Sequence, residues 1–218
     1  MRPTKLTSEH VWVLKRLQNL GFRSALIAGG AVRDTYFKKF IMDIDIYLWD
    51  TKVSGEYFKD GKPNLKDKDF LVTLLDLPRN RDNVNVAYPV PHTSNRRKDD
   101  ILAPPAASGS DSWFNNSITQ ITNVAKNYMK YQLIVVECNP LEFVEKKFAM
   151  DISRCYCDGV KMRYTNEFLN DAKNRTLTID GDLKYVEYAH MMKSYVPKMK
   201  RKFPNHRVVD LLKDKLKK

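Results

Sequence analysis

The chain has 218 residues, a formal net charge of +12, 43% apolar residues, and only 8 Gly and 10 Pro. That length suits one large domain, or one domain with a short extension, and the apolar share is enough for a real core, so collagen-like and globally disordered readings fail. The excess positive charge favours polyanions, meaning nucleic acid or a membrane surface.

No apolar run approaches the roughly 20 residues that span a bilayer. The N-terminus lacks the apolar core of a signal peptide, and no basic amphipathic helix is joined to a lipidation signal. Nucleic acid therefore leads, with no membrane partner and a cytoplasmic location expected. Cys138, Cys155 and Cys157 are an odd count without a CxxC pair. They read as buried or half-buried thiols rather than as a disulfide framework or a zinc site.

In chain order, Thr7 to Leu20 reads as a helix, with Ser8 as a candidate cap and Val11, Leu14, Leu17 and Leu20 at helical spacing; Gly21 ends it. Ser24 to Ala28 is a short apolar strand, followed by Gly29-Gly30 and a helix over Ala31 to Phe40. Ile41 to Trp49 alternates strictly, with Ile44, Ile46 and Leu48 on one face and Asp43, Asp45 and Tyr47 on the other. Leu65 to Leu75 fits a helix or a strand-like apolar run, and Asn83 to Val90 a strand. Residues 91 to 112 form a long loop. The stripe Ile118, Ile121, Val124, Ala125 and Tyr128 predicts a helix over Ser117 to Met129. Tyr131 to Glu137 is a strand buried on both faces, Leu141 to Phe148 a short helix, and Ile152 to Cys157 another strand. After the turn at Asp158-Gly159 come a helix over Tyr164 to Asn174 and a strand over Arg175 to Asp180. A helix over Tyr185 to Lys202 is broken or ended near Pro197. Val208 to Lys218 reads as a basic helix.

The chemistry concentrates between residues 27 and 46. Two aspartates at i and i+2 on a strand share a face, so Asp43 and Asp45 can bridge a pair of divalent metals through hard oxygen donors, one ion for the attacking hydroxyl and one for the triphosphate. Glycines allow a phosphate to approach the backbone, and a following helix N-terminus attracts anions. Gly29-Gly30 supplies both. Each piece alone is common turn or edge chemistry. The order strand, Gly-Gly, helix, alternating strand with two aspartates is more specific, because it places glycines and carboxylates at neighbouring strand ends.

The segment Ile27-Ala-Gly-Gly-Ala-Val-Arg-Asp34, followed by Asp43-Ile-Asp-Ile46, resembles the head domain of tRNA nucleotidyltransferases and bacterial poly(A) polymerases, within the DNA polymerase β-like nucleotidyltransferase superfamily. The interval from Gly30 to Asp43 matches that family's spacing. The resemblance is tight over residues 24 to 50 and loose over the rest of the head. It implies an α+β fold: a mixed β-sheet head over residues 1–160 with helices packed on it, and a short, basic, mainly helical C-terminal extension over 161–218. It implies an NTP substrate and Mg²⁺ or Mn²⁺, with Asp43 and Asp45 as catalytic metal ligands and Gly29 and Gly30 against the phosphates. Arg33 and Asp34 would lie beside the nucleotide pocket; alternatively they anchor the helix to the sheet.

The chain departs from the family in places. The position most like its third carboxylate is Gln132, whose carbonyl is a weak ligand. Glu137 lies on the opposite face of a regular strand, unless a bulge re-aims it. The stretch Lys146 to Asp158-Gly159 is closer to a variant found in stand-alone viral and phage proteins, with Asp151 and Arg154 flanking the site or packing at the core edge. Such a source would make the location a host cytoplasm. In the extension, Lys198, Lys200, Arg201 and Lys202, with Tyr195 and Phe203 interleaved, are candidates to hold an RNA backbone and stack a base, as is Arg96-Arg97-Lys98. Solvated faces explain the same charges. His92 and His206 read as surface histidines.

Three functions fit these residues. The first transfers a nucleotidyl group from an NTP to an acceptor, foremost a tRNA-like RNA 3′ end, with release of pyrophosphate. The second is a degenerate member that binds RNA or nucleotide without turnover. The third, a metal-dependent glycosyltransferase using Asp-x-Asp, fits poorly with the Gly-Gly helix start. Oligomeric state is not legible.

Overall fold

The computed structural model describes residues 3–49, 58–59, 62–63, 84–85, 118–126, 129–136, 138–181, 183 and 185–213. Helix α1 (Ser8–Asn19) buries Val13, Leu14 and Leu17. Its cap is Thr7, one residue before the expected Ser8, and the Thr7 N–H donates to His10 Nδ1 at 3.1 Å. Gly21, at φ 108°, takes the left-handed turn that ends the helix.

Strand β1 (Leu26–Ala28), helix α2 (Gly30–Tyr36) and strand β2 (Asp43–Trp49) come in the predicted order. The short strands β3 (Phe58–Lys59) and β4 (Lys62–Pro63) pair with each other. Strand β5 (Val84–Asn85) joins β6 (Ile118–Lys126), which runs antiparallel to β7 (Met129–Val136). Helix α3 (Pro140–Glu142), capped by Asn139 Oδ1 accepting from Leu141 N at 2.9 Å, runs on into a π-turn at Phe143–Lys147. A 3-10 turn (Asp151–Ser153) leads into β8 (Cys155–Cys157) and β9 (Met162–Tyr164). Beyond them lie α4 (Asn166–Asn174) and β10 (Thr176–Ile179), then α5 (Tyr185–His190). A π-turn at Met191–Tyr195 joins α5 to α6 (Val196–Lys202), and β11 (Arg207–Asp210) comes last.

Among the described residues, seven strands form one sheet in the order β5-β6-β7-β2-β1-β8-β9. It is mixed, because β2 runs parallel to β7 and antiparallel to β1. The alternation in β2 puts two apolar clusters on the two faces. Ile44, Ile46 and Leu48 join the larger core with α1, α2 and the C-terminal helix. Tyr47 joins a smaller one with Ile134, Val136, Phe143 and Phe148. The hairpin of β8 and β9 crosses position 160, and β10 and β11 pair in parallel beyond it.

Of two expected helices, one is a strand over its described residues 118–126 and the other is a strand at its start, up to Asp210. Over 117–129 the apolar stripe fits a helix, yet Ile118, Thr119, Ile121, Thr122 and Val124 are β-branched. Such side chains lose rotamer freedom on a helix and pack well on a pleated surface once a partner strand is present. Over 208–218, Arg207–Asp210 pairs with β10, and Asp210 Oδ1 then accepts from the N–H groups of Leu212 and Lys213, both at 3.0 Å. This local bond competes with helix formation at the start of the run. The expected strand over 152–157 is shorter, because its first half is the 3-10 turn. Pro197 does not break its helix. The π-turn just before it supplies room for a ring that would crowd the carbonyl four residues back. No described helix is long and apolar enough to cross a membrane.

Candidate functional site

The site is built around the start of β2. Asp43 opens the strand half-buried, and Asp45 comes next on the same face at 8% exposure. Parallel pairing sets Asp43 opposite Lys130 and Asp45 opposite Gln132, which is itself buried. The amide of Gln132 therefore stands on the carboxylate face, in register with Asp45. Burial raises the Asp43 carboxyl above its usual range; Lys198 and Lys202 act in the opposite direction, Asp34 reinforces the rise, and Arg33 opposes it. Two cations of the C-terminal helix thus act on a carboxylate more than 150 positions earlier in the chain.

Gly29 and Gly30 have different roles. Gly29 adopts φ 67°, where a side chain is strained, and an added Cβ would meet Phe148 Cε2 at 3.2 Å. Its N–H donates to the Cys155 carbonyl at 3.0 Å, and its carbonyl accepts from Arg33 N at 2.9 Å and the Cys155 thiol at 3.6 Å. The Gly29 amide is thereby engaged with β8. A Cβ on Gly30 would meet only Arg33 Nη2, at an ordinary 3.7 Å.

Arg33 and Asp34 are both buried, in a network sequence patterning did not reveal. Arg33 Nε donates to Asp34 Oδ1 at 3.0 Å, and its Nη1 to Ser153 Oγ at 3.1 Å and Tyr195 OH at 3.2 Å. Ser153 Oγ and Tyr195 OH lie 3.3 Å apart. The second Asp34 oxygen accepts from Lys202 Nζ. The guanidinium carbon sits 5.7 Å from the Phe203 ring centroid. The pair thereby ties α2 to the turn at 151–153 and to the C-terminal helix.

The basic candidates separate in the same way. Lys202 is held on Asp34, and Lys200 Nζ donates to the carbonyls of Pro204, at 3.3 Å, and His206. Lys198 lies 5.8 Å from the Tyr195 ring centroid, and Arg201 is exposed. Tyr195 and Phe203, expected as stacking surfaces, are buried in the core. His206 is buried rather than superficial, packed against Phe37 and Phe203, and burial lowers its pKa. Asp151 and Arg154 form a buried pair at 3.0 Å, with Arg154 also donating to the Phe148 carbonyl. All three cysteines are thiols, outside any disulfide. Leu65 to Leu75, the loop 91–112 with His92 and Arg96 to Lys98, and Glu137 lie outside the described residues.

Among the described residues no cluster of three His, Cys, Asp or Glu side chains could hold a metal ion. What β2 and β7 present instead is two carboxylates and one amide, all hard oxygen donors of the kind Mg²⁺ or Mn²⁺ takes. That set fits one divalent ion better than a pair, because Gln132 brings no charge.

No known protein family matches the chain, and no curated protein matches it. Solved structures do. The Thermotoga maritima CCA-adding enzyme complexed with tRNA-CCA is similar with a TM-score of 0.51 at 12% identity, over 94% of this chain and 41% of that one. A tRNA nucleotidyltransferase complexed with a primer tRNA and an incoming ATP analog gives 0.48 at 16% identity, over 94% and 48%. A tRNA-processing enzyme in an apo form gives 0.49 at 15%, over 94% and 46%. This chain spans less than half the length of each. The first of these likenesses shows the fold: an α+β, mixed-sheet head of the nucleotidyltransferase kind. Nothing in them points to a phage or viral source.

Proposed function

We propose that this chain is a metal-dependent nucleotidyltransferase that moves a nucleotidyl group from an NTP to an acceptor, foremost a tRNA-like RNA 3′ end, releasing pyrophosphate. The observation that carries the reading is the pair Asp43 and Asp45 on one face at the start of β2, with the cations of the C-terminal helix acting on the first of them. In this reading Asp43 and Asp45 hold Mg²⁺ or Mn²⁺. Such an ion, once bound, offsets the charge of a triphosphate and lowers the pKa of a hydroxyl beside it.

The protein's own groups do the remainder. Burial of the two carboxylates makes them poor hosts for charge without a cation, which favours metal uptake. Arg33, Lys198 and Lys202 balance Asp34, Asp43 and Asp45, so a divalent cation bound at the two aspartates would leave the neighbourhood net positive and attractive to a polyphosphate. Gly30, at the start of α2 and with room at its Cα, is the better of the two glycines for close phosphate approach. The net charge of +12 supports an RNA acceptor. A second reading, a degenerate RNA- or nucleotide-binding module, is favoured by Gln132 standing in register with Asp45.

The test is pyrophosphate release with Mg²⁺, bulk tRNA and each of the four NTPs in turn. In the enzyme, the double substitution Asp43→Ala and Asp45→Ala lowers the rate roughly 1000-fold, the equivalent of about 4 kcal/mol of lost charge stabilisation, while the circular dichroism spectrum is kept. Gln132→Glu in the same assay raises the rate if the amide limits it. Binding of tRNA without release under any NTP, for wild type and Gln132→Glu alike, sinks the enzyme and leaves the module.

A further inference from the structure

The sequence presents the C-terminal helix as a basic surface for RNA, yet its inner face is engaged elsewhere. Tyr195, at the end of the π-turn, brings its hydroxyl to Arg33 and to Ser153. Lys202, at the end of α6, reaches Asp34. Asp34 is thereby held on both oxygens by cations from two elements, and Arg33 is held by three groups from three. The π-turn matters for this meeting. One extra residue in a turn rotates the downstream helix by about 100°, and it is in this phase that Lys202 reaches the head.

We infer that Lys202 and Tyr195 are positioning residues of the transfer site, locking the C-terminal helix to α2 so that the helix forms the cationic side of the Asp43 end of β2. The inference rests on the function proposed above. The cluster joins two cations, Arg33 and Lys202, to one buried anion, Asp34, and so keeps a net positive charge. Lys198 lies one turn before Lys202 on the same helix, and both act on Asp43. Segment 185–203 then belongs to the site and is not an appended RNA-binding tail.

The experiment compares wild type, Lys202→Met, Lys202→Arg and Tyr195→Phe in the full chain. Mn²⁺ and ATP affinities are read by calorimetry, with the thermal midpoint alongside. A positioned cation opposes metal and attracts nucleotide. Lys202→Met therefore tightens Mn²⁺ binding about threefold and weakens ATP binding about tenfold. Lys202→Arg restores both toward wild type. Tyr195→Phe weakens ATP binding several-fold with a nearly unchanged midpoint. A purely structural lysine would loosen both ligands together or neither, and either outcome overturns the inference. If Lys202→Met does not fold, Tyr195→Phe decides it, and unchanged ATP affinity there is the overturning result. Both affinities are read without turnover. A wild type that binds Mn²⁺ and ATP but releases no pyrophosphate removes the proposed activity while Lys202 and Tyr195 keep their support; one that binds neither removes both.

Discussion

At the corner of α4 and β10, Asp171 is fully buried, and its carboxylate accepts from Thr176 Oγ1 at 2.5 Å, Thr178 Oγ1 at 2.6 Å and Thr178 N at 2.9 Å. At the start of β2, Asp43 is half-buried, its pKa is raised by that burial, and the groups that offset the rise are cations of other elements. The first carboxylate is saturated by neutral donors from its own neighbourhood in the chain. The second depends on charge brought from a distance. Saturation by neutral donors makes a fold tie, since it leaves nothing for a ligand to add. Dependence on distant charge suits the proposed metal site, because a cation that arrives there recovers a desolvation penalty already present. Asp151 stands between the two, paired with Arg154 yet raised to about 6 by burial.

The largest effect expected from breaking this contrast is at the fold tie. Asp171→Ala strands three buried donors, which at about 1 kcal/mol each destabilises the protein on the order of 3 kcal/mol in urea unfolding. A loss under about 1 kcal/mol would mean water replaces the carboxylate and the corner is not sealed.

Asp151→Asn should flatten the pH profile and, by proton linkage, raise the urea midpoint at neutral pH, where the wild-type contribution is already lost. The folded pKa, about 6, lies above the ordinary 3.8, so the contribution of this group is fully present below 3.8 and is lost as pH rises through about 6. With Asn in place, the urea midpoint should no longer decline between those limits. A decline of wild-type size in the variant assigns the titration to another group.

Asp43→Asn gives the smallest effect, opposite in sign to that of Asp171→Ala. Its raised folded pKa means that the ionised form is the less favoured one in the fold, so stability falls as pH rises through that pKa. In metal-free buffer at pH 7 the neutral side chain should raise the unfolding midpoint, whereas adding Mn²⁺ should stabilise wild type and not the variant. A midpoint lowered by Asp43→Asn without metal would place this residue with Asp171, among the carboxylates that hold the fold.

Where local pattern and nearest neighbours decide, the residues alone determined the outcome. The run of β1, Gly29-Gly30, α2 and β2 comes from a short apolar stretch, a glycine that alone takes φ 67° easily, and strict alternation over Asp43–Trp49. The common face of Asp43 and Asp45 comes from the same period of two. Tertiary structure decided the rest. Ile118–Lys126 and Arg207–Asp210 became strands because β7 and β10 were there to pair with them, and pairing outweighs a helical stripe. The partners of Arg33 and Asp34 lie 162 and 168 positions away, at Tyr195 and Lys202. No periodicity marks such a contact, because a buried ion pair is set by where two elements meet and by the desolvation each charge undergoes there, and neither quantity exists until the chain has folded.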